Sequence, residues 1–306
     1  MKLLIFLCLF TFTKLTIWPS ESAKLTPLFD RCDKKCQINY LMKYGYISPS
    51  SENSLQDEQD YITEGLINLQ KDAGLKETGV MDSATTYLIQ TPRCGVFKHF
   101  RSRQKRFTTK WRWNTIKNRL NETMLTWYLD LSNFDDIQSN NLTKRMIKTI
   151  MTTVTYKWSK IPLIRFKQVY DKDSSNITIK FLKGNHSDGY DFDGPGKVLA
   201  HAFYPGGGIG GDIHFDLDET WTLWGEETGN SLFTVALHEM GHSLGLGHSS
   251  EQESIMYAWY RPKNINLTED DIQGINSLYS ARPTTTTTTR PTTRPTTTTT
   301  TRPTTT

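Results

Sequence analysis

Hydrophobic and polar residues follow two different rhythms along this chain, and the first of them is helical. Between residues 28 and 90, apolar residues recur at helical spacing, as at Tyr40 and Tyr44, and polar runs rich in Gly and Pro separate the groups. Asp82 or Ser83 is placed to cap a last helix, because short oxygen-bearing side chains accept hydrogen bonds from the first backbone N–H groups of a helix. We therefore expect a small helical unit in this part of the chain.

The rhythm changes after residue 107, where strands and helices are mixed. The pattern predicts strands at 126–129 and 177–181, and helices at 143–158 and about 232–244. A closing helix is expected from Thr268, because Asp271, three residues further on, is in the capping-box position. A long stretch rich in Gly and Asp lies between the second strand and the second helix. This part of the chain is therefore predicted to fold as a second unit.

The predicted helix near residue 240 carries the main chemical signal. The sequence from His238 to His248 matches the pattern H-E-x-x-H-x-x-G-x-x-H at every specified position. Histidines at i and i+4 on a helix point the same way, so His238 and His242 can hold one metal ion. Gly245 lets the chain turn back and bring His248 to the same ion. Three protein ligands leave a fourth position for water, as in a catalytic zinc site, and Glu239 is the candidate general base.

The alternative reading of this motif is a helix that carries histidines by chance. A lone H-E-x-x-H is a moderate signal. The additional glycine and third histidine make chance a poor explanation, because each must fall at one defined distance from the others. We therefore predict a metal-dependent hydrolytic site.

The N-terminus has the pattern of a secretory signal peptide. Met1-Lys2 is followed by an apolar run from Leu3 to Phe12, which is too short to cross a bilayer. We place the signal peptide at residues 1–23, with an uncleaved membrane anchor as the alternative. No later segment is apolar enough to cross a membrane. The expected location is therefore the extracellular space or matrix.

The end of the chain differs from the rest in composition and in charge. Beyond Ala281 it contains only Thr, Pro and Arg, so we expect residues 281–306 to be a disordered, mucin-like and O-glycosylated tail. The formal net charge of the chain is +4. The tail carries four arginines and no acid, which leaves no net charge on the remainder. A nucleic acid is therefore not expected as a partner.

The cysteines number four, and they do not all pair. Cys8 belongs to the predicted signal peptide, so Cys32, Cys36 and Cys94 remain, and at least one is unpaired in a secreted monomer. Cys32 and Cys36 are close enough in sequence to pair with each other, although spacing alone does not establish it. Cys94 would then be the odd thiol, and a metal ion is one candidate for its partner.

A basic linker separates the two predicted units, at residues 98–106. Its last four residues, R-Q-K-R, fit the R-x-[KR]-R pattern that furin-type convertases cut, and a solvated basic loop is the alternative. Exposed linkers are preferred sites of proteolysis, so we expect cleavage between Arg106 and Phe107. The predicted domains are therefore 24–106 and 107–280.

These motifs resemble the matrix metalloproteinases, the matrixin branch of the metzincin zinc endopeptidases, over about residues 37–280. Ser249 follows the third histidine as in matrixins, where other metzincins usually have an acid. Met256, in the sequence S-I-M-Y, resembles the Met-turn that forms an apolar floor under the zinc. The resemblance implies an α+β fold, a helical pro-domain followed by a metzincin catalytic domain with a twisted, mostly parallel five-stranded sheet and three helices. It implies a secreted metalloendopeptidase, made as a latent zymogen, that cleaves proteins of the extracellular matrix or cell surface.

Residues 92–96, P-R-C-G-V, resemble the inhibitory switch of the same family. The resemblance implies that Cys94 takes the water position on the catalytic zinc in the latent form, because a thiolate is a strong zinc ligand. Arg93 is then expected to pair with an acid of either unit. The family motif usually continues with Pro-Asp, whereas Phe97-Lys98 follows here, so the pose of this segment departs from the pattern.

The resemblance also implies further ions. A second, structural zinc would be bound by His186, Asp188, His201 and His214. A calcium ion would be bound by Asp193, Gly194, Gly196, Val198, Asp216 and Glu219, as carboxylates and loop carbonyls suit calcium. Another calcium would use Gly208, Gly210 and Asp212. The family usually adds an Asp to this last site where the chain has Asn176, which is also a glycosylation sequon, and a glycan and an ion ligand on one side chain are incompatible.

For the substrate, Leu199 and Ala200 resemble the family's edge strand, which pairs with an extended peptide. Thr234 and Tyr260 are expected in the pocket beyond the scissile bond, and the small Thr234 indicates a preference for large apolar side chains. The new amine at Phe107 would pair with Asp270 or Asp271. Expected partners are matrix proteins, a furin-like convertase and tissue metalloproteinase inhibitors, with the protein a monomer. No hemopexin-like domain is recognised, which weighs against cleavage of folded collagen.

Two rival interpretations belong to other classes. The first is a secreted, mucin-like binding or matrix protein whose protease unit is vestigial, and the intact metal-binding pattern argues against it. The second is a different metzincin enzyme, which Ser249 and the cysteine motif disfavour.

Overall fold

A computed structural model describes residues 32–48, 55–96, 112–114, 117–137, 139, 141–224 and 229–280. The predicted signal peptide, the cleavage site at Arg106 and Phe107, and the Thr-rich tail lie outside the described residues and stay predictions. Within the described ranges, no helix combines the length and the apolar character needed to cross a membrane.

The described residues of the N-terminal unit, 32–48 and 55–96, form three helices and a short strand. The helices are α1 Lys34–Lys43, α2 Leu55–Asp72 and α3 Ser83–Gln90. Asp33 caps α1 and Asp82 caps α3, each by accepting a hydrogen bond from a backbone N–H in the first turn. A disulfide joins Cys32 to Cys36 at the start of α1, so the pairing that the spacing left open is present. The predicted helical unit is thus found in the structure.

A mostly parallel sheet forms the centre of the C-terminal unit, residues 112–280. Its strands are β2 Thr123–Leu129, β3 Ile164–Gln168, β4 Ile177–Leu182, β5 Val198–Ala202 and β6 Ile213–Asp216. A strand of the N-terminal unit, β1 Arg93–Cys94, joins its edge, which gives the order β1-β5-β6-β4-β2-β3. Every neighbouring pair is parallel except β5 with β6. The predicted five-stranded sheet is confirmed, and the sixth strand, from the other unit, was not anticipated.

Two very short strands, β7 Trp221–Thr222 and β8 Asn230–Ser231, pair beside this sheet. The described part of the unit also contains three α-helices, namely α4 Lys144–Ser159, α5 Leu232–Ser243 and α6 Glu269–Tyr279. The capping box between Thr268 and Asp271 is present at the start of α6, as predicted. Every residue of α5 is buried, because it packs against α4 on one side and β5 on the other. The helix with the metal-binding motif is therefore in the core of the unit.

A hydrophobic cluster with residues from both units lies between them. Residues of the N-terminal helices, among them Leu41, Leu66 and Leu69, form one buried cluster with Phe192, Val198, Tyr257, Ala258 and Trp259 of the C-terminal unit. Burial of apolar surface is the main source of such association. The N-terminal unit therefore covers one face of the C-terminal unit, and β1 lies within that contact.

Candidate active site

Three imidazoles converge where α5 ends. His238 and His242 lie one turn apart on the helix, and the chain leaves it through Gly245, whose φ of +102° lies in the region that glycine favours. This turn brings His248 back to the other two side chains. His242 Nε2 lies 3.1 Å from His238 Nε2 and 3.1 Å from His248 Nε2. The structure thus brings together the three histidines that the motif predicts as ligands.

Hydrogen bonds fix the orientation of two of these rings. His238 Nδ1 lies 2.6 Å from the carbonyl oxygen of Ile255, and His242 Nδ1 lies 2.7 Å from that of Leu246. A carbonyl only accepts, so each Nδ1–H donates and each Nε2 presents its lone pair to the cluster. Burial lowers the pKa of His238 to about 4, and burial lowers the pKa of His242 well below its usual value. Both rings are therefore neutral at pH 7, the form that binds zinc.

Cys94 completes this cluster from the N-terminal unit. It is a buried free cysteine, its Sγ lies 3.4 Å from His242 Nε2, and the four ligand atoms lie within 4.8 Å of one another. Burial raises the pKa of the Cys94 thiol well above its usual value, and the neighbouring Glu239 acts in the same direction. A cation at this point reverses that preference, because it stabilises the thiolate directly. One thiol and three imidazoles are a donor set that fits zinc.

Glu239 lies beside these ligands in an unusual environment for a carboxylate. It is fully buried on α5, and both of its carboxylate oxygens lack a hydrogen-bond partner among the described residues. Burial raises its pKa to about 8. Buried polar atoms are normally satisfied, so an unsatisfied carboxylate in a polar cluster indicates a functional group. This is the environment expected of a general base, the role predicted for Glu239.

The floor of the site is built around Met256. It is buried directly beneath α5, and a Cβ at Gly241 would overlap its Sδ, so the helix and the methionine are packed without a gap. Asp271 holds the Met256 segment in place by accepting hydrogen bonds from the Ser254 hydroxyl and from the next two backbone N–H groups. Sequence reasoning missed this role of Asp271, because its partners lie outside its own helix.

The same network bears on the predicted partner of Phe107. Asp271 is 1% exposed and also accepts hydrogen bonds from the backbone N–H and the hydroxyl of Thr268. A carboxylate with this many partners has little capacity for another donor. Of the two acids that the sequence offers for the Phe107 amine, the geometry therefore favours Asp270. Phe107 itself lies outside the described residues, so this pair stays a prediction.

A second cluster lies on the same sheet and contains only residues of the C-terminal unit. Asp188 Oδ2 lies 2.6 Å from His186 Nε2, 2.9 Å from His201 Nε2 and 2.8 Å from His214 Nδ1. His201 and His214 face each other across the antiparallel pair of β5 and β6. Burial lowers the pKa of His201, and burial lowers that of His214 to about 3. Four protein ligands with no open position fit a structural zinc.

Carboxylates predicted to bind calcium lie close to this second cluster. Asp193 Oδ1 accepts a hydrogen bond from Val198 N at 3.2 Å, and Glu219 Oε1 accepts one from Gly196 N at 2.6 Å. Asp216 Oδ2 is buried and has no hydrogen-bond partner among the described residues. Burial, reinforced by neighbouring acids, raises the pKa of Asp216 to about 6 and that of Glu219 to about 7. Crowded, buried acids and loop carbonyls fit a calcium ion, whose charge offsets their repulsion.

The second predicted calcium site receives less support. Asp212 lies next to the loop of Gly208 and Gly210, and its Oδ1 accepts a hydrogen bond from Thr178 N at 2.9 Å. The side-chain oxygen of Asn176 accepts hydrogen bonds from the backbone N–H and the hydroxyl of Thr126. Both hydrogen bonds hold that oxygen against β2, so it does not act as an ion ligand in this arrangement. The conflict between an ion and a glycan on the Asn176 side chain is thereby removed.

A cleft runs past the three histidines, and residues 92–95 lie extended in it. Backbone hydrogen bonds hold this segment on both sides, from Arg93 N to Lys197 O at 2.6 Å, Gly95 N to Ala200 O at 2.8 Å, Cys94 N to Ala258 O at 3.0 Å and Tyr260 N to Pro92 O at 2.8 Å. A peptide that adds a strand to a sheet edge binds in this way. Ala200 thus lies where the sequence predicts contact with an extended peptide.

A pocket opens from this cleft beside His238. Thr234 and Tyr260 line it, where the sequence predicts the specificity pocket, and Leu199 of the predicted edge strand lines it as well. The Thr234 hydroxyl donates a hydrogen bond to the carbonyl oxygen of Pro262 at 3.3 Å, and the Tyr260 hydroxyl accepts one from Ser231 N at 2.6 Å. These bonds tie the pocket wall to the start of α5.

Among the described residues Arg93 meets aromatic rings and no acid, which differs from the expectation from its sequence. Its guanidinium lies 3.8 Å from the ring centroid of Tyr44 and 4.7 Å from that of Trp259, and it donates a hydrogen bond to the Tyr40 hydroxyl at 3.3 Å. Arg93 is 3% exposed, and no carboxylate of the described residues lies within ion-pair distance. We term these three rings the aromatic cage. Aromatic faces carry negative potential and so accommodate a buried cation.

The chain is similar to known proteins over most of its length. A family model described as Matrixin matches residues 119–280. The chain is 38% identical over 285 residues to "Probable matrix metalloproteinase 095L" of Invertebrate iridescent virus 3, covering 82% of this chain and 78% of that protein. It is 39% identical over 248 residues to "Matrilysin" of Rattus norvegicus, covering 80% and 84% respectively.

Other relatives are longer than the matched region. The chain is 39% identical over 272 residues to "Matrix metalloproteinase-2" of Drosophila melanogaster, which covers 81% of this chain and 34% of that protein. The matched region includes the three histidines, the second cluster and the acids proposed for calcium. The chain therefore belongs to the matrixin family, and it is a metalloendopeptidase with zinc and calcium as cofactors.

Proposed function

We propose that this chain is the latent form of a secreted zinc endopeptidase that cleaves proteins of the extracellular matrix or the cell surface. The N-terminal unit acts as its inhibitory propeptide, predicted as residues 24–106. Cleavage after Arg106 by a furin-type convertase starts activation. The names of the relatives, several of them matrix metalloproteinases, support the substrate class. We also propose that the enzyme acts as a monomer and that tissue metalloproteinase inhibitors bind its active site.

The position of Cys94 is the observation that carries this proposal. Its thiol completes the histidine cluster beside Glu239, and the segment around it fills the cleft where an extended peptide would bind. A thiol in this place excludes water from the fourth ligand position and excludes substrate from the cleft. Removal of the N-terminal unit therefore opens both at once, which is the logic of a zymogen.

The residues of the site have separate roles in peptide hydrolysis. Zinc bound by His238, His242 and His248 would supply a Lewis acid that polarises the scissile carbonyl and acidifies a water molecule. Glu239 accepts a proton from the attacking water and then donates it to the departing amine nitrogen. Its buried oxygens suit this exchange, because among the described residues no N–H or O–H group within hydrogen-bond geometry occupies the lone pairs that would accept the proton.

The cleft orients the substrate for this reaction. The backbone of β5 near Leu199 and Ala200 bonds one side of an extended peptide, and the segment at Ala258 and Tyr260 bonds the other, as both now do with residues 92–95. Main-chain pairing on two sides holds the scissile bond at a defined distance from Glu239. The pocket beside His238 then selects the side chain that follows the cut, with large apolar groups preferred.

Hydrolysis of an internally quenched peptide tests this proposal directly. We expect no activity before convertase treatment, activity after it, and loss of activity on adding a zinc chelator. Glu239→Gln should lower kcat by roughly 10²–10⁴-fold while zinc stays bound, because general-base catalysis contributes about that factor. Glu269→Gln, an exposed glutamate on α6, is the matched control and should retain activity.

Two outcomes would count against the proposal. Near-normal turnover by Glu239→Gln would refute the general-base role. No hydrolysis by the cleaved protein, with zinc present in the expected amount, would favour a binding or matrix protein with a vestigial protease unit.

A further inference from the structure

Trp259 belongs to the C-terminal unit, but its polar and charged contacts come from the N-terminal unit. The guanidinium of Arg93 lies 4.7 Å from its ring centroid, and its Nε1–H donates a hydrogen bond to the Tyr40 hydroxyl at 3.4 Å. In this arrangement Trp259 is 2% exposed. Removal of the N-terminal unit would therefore take away the cation on its face and the acceptor of its N–H.

The face of Trp259 already accommodates a positive charge at this place. Arg93 is buried without a carboxylate partner among the described residues, so the aromatic cage, together with the Cys94 carbonyl oxygen that accepts a hydrogen bond from Arg93 Nε, helps to offset the desolvation of its guanidinium. Of the three rings, Tyr40 and Tyr44 leave with the N-terminal unit, whereas Trp259 remains. Arg261 lies 5.2 Å from the neighbouring Tyr257 ring and does not prevent the binding of Arg93.

The position of this cation relative to the reactive centre is fixed by the backbone. Arg93 directly precedes Cys94, whose thiol joins the histidine cluster, and both residues are held in the peptide cleft by hydrogen bonds. Arg93 also lines the pocket that is expected to take the side chain after the cut. A substrate in the same cleft therefore places a side chain near Trp259, close to the scissile bond and on the pocket side.

We propose that Trp259 is a specificity-determining residue of the activated enzyme, and that its indole face binds a cationic side chain of the substrate, arginine in preference to lysine, within two residues after the scissile bond. The inference rests on the proposed protease function and adds a charge preference to it. A planar guanidinium stacks on an aromatic face better than an ammonium does, as Arg93 does in the latent form. The freed indole N–H is available to an acceptor of the same substrate segment.

The test uses the convertase-activated enzyme and a set of quenched peptides that differ at one position. The first or the second residue after the cut is arginine, citrulline, lysine or norleucine. Citrulline has nearly the shape of arginine but no charge, so the ratio of the two kcat/KM values isolates the contribution of the cation. We expect a ratio of roughly 2 to 5 at one of the two positions, carried by KM, because a partly exposed cation–π contact contributes about 0.5–1 kcal/mol.

Variants at Trp259 link that ratio to the indole. In Trp259→Leu the ratio of arginine to citrulline should fall to near one, and in Trp259→Phe it should be intermediate. Each ratio is measured within one enzyme, so a general loss of activity does not affect it. Trp224→Leu is the matched control, since Trp224 is exposed, contacts Phe233 with its ring tilted by 59° and is not among the residues that line the pocket. It should keep the wild-type ratio.

The outcomes separate this inference from the proposed function. Hydrolysis with a ratio near one in the wild type, or a ratio that Trp259→Leu leaves unchanged, would overturn the role of Trp259 and leave the protease assignment intact. Failure of the zinc-loaded, activated protein to cleave any of the peptides would overturn the proposed function and this inference with it.

Discussion

The two histidine clusters have similar donors, but they take them from different parts of the chain. All four ligands of the cluster around Asp188 belong to the C-terminal unit, and two of them face each other across neighbouring strands. The cluster around His242 takes three imidazoles from the C-terminal unit and a thiol, that of Cys94, from the N-terminal unit. A ligand set within one unit persists while that unit is folded, whereas a shared set opens when the units separate. The origin of the fourth ligand therefore distinguishes a structural site from a regulated one.

Of the changes that test this difference between the two clusters, loss of Asp188 should have the largest effect. Its Oδ2 contacts all three imidazoles of the second cluster, so Asp188→Ala leaves three buried histidines without their shared partner and weakens the metal site. We expect the C-terminal unit to lose about 3 kcal/mol or more of stability and one zinc per chain, because metal binding contributes to folding.

Thermal denaturation together with zinc analysis checks this prediction. Asp191→Ala, an exposed acid of the same loop, should change the free energy of unfolding by no more than about 0.5 kcal/mol. An unchanged melting temperature and zinc content in Asp188→Ala would mean that this cluster is not a structural site.

Cys94→Ala tests the cluster around His242, whose fourth ligand comes from the N-terminal unit. Removing the thiol should leave the C-terminal unit folded but allow water into the fourth position, so the uncleaved protein should become active. If the latent state accounts for about 99% of the zymogen, peptide hydrolysis should rise by up to roughly 100-fold. Convertase treatment should then add little. Persistent latency would show that the N-terminal unit blocks the cleft by occlusion and not by ligation.

Arg93→Ala sharpens the comparison by leaving Cys94 in place and removing the cation from the aromatic cage. A desolvated cation–π contact contributes about 2 kcal/mol, so we expect the N-terminal unit to hold the cleft roughly 30-fold less tightly. The measurement is residual activity of the uncleaved protein and the rate at which the cleaved N-terminal unit dissociates. Arg93→Lys keeps the charge but loses the planar group that stacks on the rings. Its residual activity and dissociation rate should lie between those of the wild type and of Arg93→Ala. Equal latency in all three proteins would contradict a role for the cage.

Lys43→Ala should have the smallest effect. Lys43 Nζ lies 2.8 Å from Asp193 Oδ2, which links α1 to the loop proposed for calcium, but both side chains are partly exposed. Exposed ion pairs contribute about 0–1 kcal/mol, and salt screens them. We expect at most a few-fold faster dissociation of the N-terminal unit at low salt, with Lys35→Ala as the control. A large effect would mean that the contact between α1 and the Asp193 loop also controls latency.

Local features of the sequence were sufficient to predict much of the fold. Helical spacing identified α4 and α5, the capping box identified the start of α6, and alternation identified β2 and β4. The zinc motif was predictable for the same reason, because an i, i+4 pair and a glycine turn place three histidines within a few residues of one another. The pairing of Cys32 with Cys36 was left open, since close spacing permits a disulfide without requiring it.

The contacts that sequence reasoning missed join residues far apart in the chain. Arg93 was expected to meet an acid and meets an aromatic cage, because Trp259 and the helix with Tyr40 reach it only after the two units pack together. Asp271 was expected to cap its own helix, and it also holds the Met256 segment. Nothing in the periodicity of either segment carries this information.

What the sequence by itself determined is the set of ligands within reach of one helix and one turn, namely His238, His242 and His248. The spacing of Cys94 does not predict that it lies at the same point as these three, because it is 148 residues from His242 in sequence; the family resemblance implied this position, and the tertiary structure is what produces it. Spacing fixes geometry only over a few residues, because the backbone of a helix or turn has few conformations. Over longer separations the packing of two hydrophobic surfaces sets the distance, and here it brings a strand of one unit to the sheet edge of the other.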